Sequence, residues 1–153
     1  MKKCKRKEDG AEWQELIDNI AYAFAKERPI MFHRDQLSRD EVYAYSDDIM
    51  MLYPEDVRYY LPQIMMELAR HPAPCDKIEL IILFLNGDSE TSEVGKIPFS
   101  SEQIKVILSW LELFIKPNYY GNKDWINEAI DEALLYWMQR AEEAAGTATL
   151  PSA

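Results

Sequence analysis

The last third of the chain imposes the strongest constraint on its fold. Ile126, Ala129, Ile130, Ala133, Leu134, Trp137, Met138 and Ala141 recur every three or four residues. Only an α-helix puts such a set on one side, because its side chains return to the same face every 3.6 residues. Asn122 suits the cap of that helix, and Gly146 is a natural stop, with residues 147–153 fraying.

The same period governs the earlier segments. Trp13, Leu16, Ile17, Ile20, Ala21 and Phe24 predict an amphipathic helix over 11–27, ended before Pro29, then a loop over 28–37 that holds His33. Ser38 and Glu41 have capping-box spacing, in which each side chain satisfies the other's backbone N–H. The helix behind them carries Val42, Tyr45 and Ile49 and ends near Met51. Pro54, followed by Glu55 and Asp56, suits the positive first turn of the next helix. Its stripe of Val57, Tyr60, Leu61, Ile64, Met65 and Leu68 runs to Arg70. Pro62 lies inside it, and a kink or restart near Tyr60 is expected.

Asp76 is a candidate cap for Lys77–Asn86, which is apolar on nearly all sides. A short apolar run can be a strand, but no partner strand is visible, and the helix reading places it at the centre of the core beneath the two final helices. Residues 87–98 form the longest loop. Phe99, Ser100, Gln103 and Ile104 combine a capping box with a hydrophobic staple. They open a helix that buries Ile104, Ile107, Leu108, Leu111 and Phe114 or Ile115 and stops before Pro117. The expectation is an all-α, compact orthogonal or bundle array of five to six helices: a disordered basic tail at 1–10, one helical domain over 11–146 and a frayed tail at 147–153. There is no internal repeat and no sustained heptad.

Composition narrows function. The formal charge is −10, yet Lys2, Lys3, Lys5, Arg6 and Lys7 crowd the first seven positions. The remainder holds 12 basic and 27 acidic residues, a charge of −15. Such a body repels phosphate backbones and anionic lipid, which disfavours direct nucleic-acid binding and favours a basic protein partner. Acidic residues follow the basic start directly, so it does not read as a secretory leader. The longest apolar run, Leu80–Leu85, is far short of a membrane span. A cytoplasmic protein is expected, with Cys4 and Cys75 as free thiols.

No catalytic constellation stands out. Cys4, His33, His71 and Cys75 lack the close pairing of zinc ligands, because Pro72 and Pro74 separate His71 from Cys75. No cofactor, metal or catalytic residue is expected, and no glycine-rich phosphate loop exists. Asp124, Glu128 and Glu132 fall at i, i+4 and i+8 with Asp131 beside them. They form either a solvated face or a surface for a basic partner. The pairs Met50-Met51, Met65-Met66, Tyr59-Tyr60 and Tyr119-Tyr120 either bury both members or leave one at an interface.

One string is distinctive. Leu52-Tyr53-Pro54-Glu55-Asp56-Val57-Arg58-Tyr59-Tyr60-Leu61-Pro62, with the later Phe99-Ser100-Ser101-Glu102-Gln103, resembles a family of small bacterial helical proteins built on a domain of unknown function. These carry an Arg-Tyr-Tyr-Leu-Pro element and a downstream Phe-Thr/Ser-x-Glu-Gln helix start. The resemblance covers residues 11–116 and makes Arg58, Tyr60, Leu61, Pro62, Phe99, Ser100 and Gln103 its structural motif. It implies a helical fold and a bacterial source but no activity. Many members have a His/Cys stretch upstream, where this chain has only His33.

The leading expectation is a non-enzymatic acidic protein-binding module of immunity-protein or antitoxin type. Asp47, Asp48, Glu55, Asp56, Glu128, Asp131 and Glu132 are its candidate surface, and Tyr59 and Tyr119 its anchors. An enzyme using His33 and a carboxylate in a cleft beside Tyr59–Pro62 is the second reading. A homodimer burying the Tyr and Met surface is the third.

Overall fold

The computed structural model describes residues 13–28, 38–70, 75–87 and 92–149. The basic N-terminal segment, Cys4, His33 and His71 lie outside them, as do the side chains of Asp47, Cys75 and Asp76. The fold is all-α, with no strand among the described residues. Its helices are α1 (Gln14–Ala23), α2 (Arg39–Asp48), α3 (Pro54–Arg70), α4 (Cys75–Leu85), α5 (Ser101–Trp110), α6 (Lys116–Tyr119) and α7 (Asp124–Thr149). A π-helical turn, Leu111–Ile115, joins α5 to α6, so these elements make six rods.

Both capping boxes form. Ser38 Oγ accepts from the Glu41 N–H at 3.2 Å, and Ser100 Oγ from that of Gln103 at 3.1 Å. Pro54 occupies the first turn of α3, where its missing N–H costs nothing; the Val57 N–H bonds back to Tyr53 O at 2.9 Å. Of the kink or restart expected near Tyr60, the restart does not occur: α3 is continuous through Pro62. Tyr60, Leu61, Ile64, Met65 and Leu68 around it are all buried, so packing holds the helix together across the missing hydrogen bond.

Several boundaries differ from the sequence reading; α1 ends at Ala23 and not at residue 27. The fifth helical rod passes Pro117 instead of stopping before it. A π turn widens the hydrogen-bond spacing from four residues to five, which relieves the clash of a proline ring with the carbonyl four residues back. The Asn118 amide donates to Phe114 O at 2.7 Å, a side-chain bond one turn back along the same rod. α7 runs through Gly146 to Thr149, so residues 147–149 are helical rather than frayed. It starts at Asp124, with Lys123 O accepting from the Asn127 N–H at 3.0 Å, so Asn122 is not at the cap position. Lastly, α4 begins at Cys75, which puts Asp76 inside its first turn. Gly121 turns the chain into α7 at φ +99°, a left-handed conformation open to glycine.

The α5–π rod, not α4, is the hub. Trp110, Leu111, Phe114 and Ile115 are all buried, and α1 and α7 pack on this rod. α3 packs on α1 and α2, while α4 lies between α2 and α7 and makes no extensive contact with α5. The helix reading of α4 holds, but Leu80 and Leu83 on its outer side are only half-buried. Met138, assigned to the core stripe of α7, is 44% exposed. Two indoles bolt the layers together. Trp110 Nε1 donates to Met65 O at 3.1 Å, and Trp137 Nε1 donates to Leu85 O at 2.8 Å, satisfying a carbonyl at the end of α4. Each Met and Tyr pair splits: Met65, Tyr60 and Tyr119 are buried and Met50 is half-buried, while Met66 and Tyr59 are half-buried and Met51 and Tyr120 exposed.

Candidate functional site

The two distinctive sequence elements meet at the C-terminal end of α1. Arg58 Nη1 donates to Pro98 O at 3.1 Å, and its Nε pairs with Glu27 Oε2 at 3.3 Å. Gln103 does two jobs. Its Oε1 accepts from the Ser100 N–H at 3.0 Å, and its Nε2 donates to Ala23 O at 3.2 Å. Phe99 meets Phe24 edge-on, with centroids 6.2 Å apart. Tyr60 stacks on Tyr45 at 4.8 Å, and Leu61 and Pro62 are buried. Arg58, Tyr60, Leu61, Pro62, Phe99, Ser100 and Gln103 thus form a joint that fixes α1, α3 and α5 against one another.

Beside the joint lies a cavity of about 450 Å³ between α1, α2 and α3. Phe24, Val42, Pro62 and Met66 give it apolar walls; Tyr59, Gln63, Glu27, Glu67, Arg28 and Arg70 line it with polar groups. Its size suits a small ligand. Arg28 turns back on the segment that follows α1, donating to Ala25 O at 3.1 Å and Glu27 O at 2.7 Å. The cavity lies beside Tyr59 and Pro62, where the enzyme reading places its cleft. His33, its proposed partner, lies outside the described residues. Among the described residues no group of three His, Cys, Asp or Glu side chains could hold a metal ion. The α3 face of this cleft follows helical spacing from Tyr59 through Gln63 and Met66 to Arg70, a pattern that sequence reading passed over.

The expected interaction residues do not form one surface. Asp48 is exposed and Glu55 half-buried. Asp56 is buried, because Asp56, Tyr60 and Ile64 share the inward stripe of α3; it is removed from any docking surface. Tyr119 is also interior, packed edge-on against Phe114 at 5.6 Å. Its neighbour Tyr120 is the exposed one. Tyr59 faces the cleft.

The α7 residues stay together. Glu128, Asp131 and Glu132 are exposed along one face with Asp124 and Glu142. Asp131 is locally engaged: Lys116 Nζ donates to it at 2.7 Å and Tyr120 OH at 3.0 Å. The Lys116 hydrogen bond holds its carboxyl below the ordinary aspartate range; partial burial opposes this, and the Tyr120 bond adds to it. Glu132 Oε2 accepts from the Asn86 amide at 2.6 Å. Trp125, Leu135 and Met138 stand on the same face at 46%, 54% and 44% exposure. Leu113, on the neighbouring π turn, is 57% exposed. The neighbouring rod is antiparallel: the start of α5 meets the far half of α7 at Phe99–Trp137, while Lys116 meets Asp131.

The single basic residue of α7, Arg140, turns inward. Its guanidinium donates to Val94 O at 3.2 Å, to Tyr136 OH at 3.3 Å and to Ile97 O, and lies 5.3 Å from the Phe99 ring centroid and 5.1 Å from that of Trp137. The outer face therefore carries carboxylates and apolar side chains without a basic residue of its own helix. No described helix is long and apolar enough to cross a membrane. Comparison with family models, with curated proteins and with solved structures finds no match.

Proposed function

We propose that the chain is a non-enzymatic protein-binding module of the immunity-protein or antitoxin type, acting in the cytoplasm and docking a basic partner on the outer face of α7. One observation carries this reading: α7 has six acidic residues and one basic residue, and the basic one is spent inside the fold. Exposed Trp125, Leu135 and Met138 among those carboxylates supply the apolar contact that charge alone lacks. Acidic groups steer a basic partner and set specificity, and the apolar side chains slow its release. The bacterial family resemblance of the Arg58–Pro62 and Phe99–Gln103 elements belongs to the same proposal.

The test is capture of partners from the native cell at low and high salt, run beside a Glu128→Gln/Glu142→Gln/Leu135→Ser variant. These positions spare Asp131 and Glu132, which make intramolecular bonds. A basic partner held by the parent at low salt, weakened by salt and lost by the variant supports the reading. A partner retained equally by the variant refutes this face.

The cleft favours a second reading, a small-molecule or enzymatic site using Glu27 or Glu67 beside Tyr59 and Pro62. Ligand screening by thermal shift, with Gln63→Ala as the control, tests it. Sedimentation at several concentrations tests the homodimer alternative.

A further inference from the structure

The chain carries its own basic segment outside the described residues and its own acidic, partly apolar helix face within them. We infer that residues 2–7 dock in cis on the outer face of α7 and shield it. Lys2, Lys3, Lys5, Arg6 and Lys7 place five positive charges in six residues, and the face offers carboxylates with no basic residue of its own helix turned outward. Lysine stems also cover apolar surface while their ammonium groups stay wet, which matches a face that exposes Leu135 and Met138 between Glu128 and Glu142.

Position and reach support the match. Trp13, where the described chain begins, is buried edge-on against Phe114, with centroids 5.2 Å apart. Phe114 is two residues from Lys116, which contacts Asp131 on α7. Trp13 and Asp131 thus touch the same rod at positions two residues apart. Lys7 lies six positions before Trp13 and Lys2 eleven, reaches of up to about 20 Å and about 36 Å. From Asp124 to Glu142 the face runs about 27 Å at the helical rise. Tethering gives the segment an effective concentration in the millimolar range, so a contact far too weak to form between separate molecules is populated at low salt.

The contact stands independently of any partner. Its regulatory consequence rests on the proposed function: a basic partner must displace the segment, so removing the segment's charge tightens partner binding.

The test uses the full chain, ¹⁵N-labelled, with a nitroxide on Cys4 in a Cys75→Ser background. The expected result is selective broadening of amide signals on the exposed turns between Glu128 and Gln139, abolished at about 0.5 M salt, where screening acts within about 4 Å. A mixture of spin-labelled ¹⁴N chains with unlabelled ¹⁵N chains must show no such broadening. Broadening there places the segment on a second copy and overturns the cis contact. Broadening that is uniform, centred elsewhere or indifferent to salt also overturns it. A second measurement leaves position 75 untouched. Changing Lys2, Lys3, Lys5, Arg6 and Lys7 together to Gln is expected to shift the α7 outer-face amides and no others, and unchanged α7 signals overturn the proposal. Neither readout involves a partner, so failure here and failure of the binding-module reading are separable.

Discussion

Removing the Arg140 guanidinium tests the packing argument where it is most quantitative. It satisfies two backbone carbonyls of the 92–98 connection, Val94 O and Ile97 O, and contacts the Tyr136 hydroxyl. It also lies against the Phe99 and Trp137 rings. A hydrogen bond from a charged donor contributes about 1.5–3 kcal/mol, and a partly desolvated cation–π contact about 0.5–2 kcal/mol. These terms share one side chain and do not add fully, and the half-buried site lets water recover part of the loss. Arg140→Met keeps the apolar stem and is expected to cost about 3–4 kcal/mol. At about 2–4 °C per kcal/mol for a chain of this size, the midpoint falls by about 10 °C. Arg140→Lys keeps the charge but not the fork that reaches separate acceptors, and should lose about half as much. Urea unfolding gives the number directly, provided the m-value is unchanged. A loss below about 1 kcal/mol for Arg140→Met would refute the claim that this residue fastens the connection to α7.

Three further outcomes are expected. Gly87→Ala places a Cβ 1.7 Å from Tyr136 Cε1, so it should cost about 1–3 kcal/mol, and a Tyr136→Ala background should largely abolish that difference in denaturant titrations. Gln103→Glu retains the capping acceptor but sets a carboxylate 3.2 Å from Ala23 O in place of a donor; it should destabilise by about 1–3 kcal/mol, as much as or more than Ser100→Ala, which loses a cap at about 1 kcal/mol. Lys116→Gln removes the largest cause of the lowered Asp131 pKa. The carboxyl titration read by NMR should then move up, and the part of the acid unfolding that tracks Asp131 should shrink. In the parent this group stabilises the fold above its unfolded pKa, and that contribution disappears as pH falls through the lower folded value.

Most of the helical plan was legible because each helix repeats one physical pattern, an apolar stripe closed by a local signal. The Ser38–Glu41 and Ser100–Gln103 caps are complete within four residues, so no tertiary information was needed. The errors arose where local grammar was overruled from a distance. Pro62 and Pro117 both read as helix punctuation. At Pro62 a buried stripe on both sides keeps α3 whole; at Pro117 the preceding π turn makes room for the ring. Gly146 reads as a stop, yet α7 continues past it to Thr149. Burial of Asp56 and Tyr119 was hidden for a similar reason. A charge in a first turn and one tyrosine of a pair each have a local role that says nothing about which way the helix faces.

The candidate surfaces show the same division between what is local and what is not. The most distinctive residues, Arg58–Pro62 and Phe99–Gln103, became a joint, because an arginine and a glutamine that bond carbonyls on other helices must be specific in position to hold three helices at once. Distinctiveness there reports geometry rather than chemistry. The acidic face of α7 shows in sequence as Asp124, Glu128 and Glu132 at i, i+4 and i+8, a pattern equally suited to a solvated face. It acquires meaning only when Arg140 is seen to point inward and Leu135 and Met138 outward. An inward arginine leaves the outer carboxylates uncompensated on their own helix, while Asp131 and Glu132 are already held by Lys116 and Asn86. The charge available to a partner is therefore concentrated at Asp124, Glu128 and Glu142, on either side of the exposed leucine and methionine. A basic ligand that binds there should be sensitive to Glu128 and Glu142 and nearly indifferent to Asp131, an ordering that charge counting from sequence would not produce.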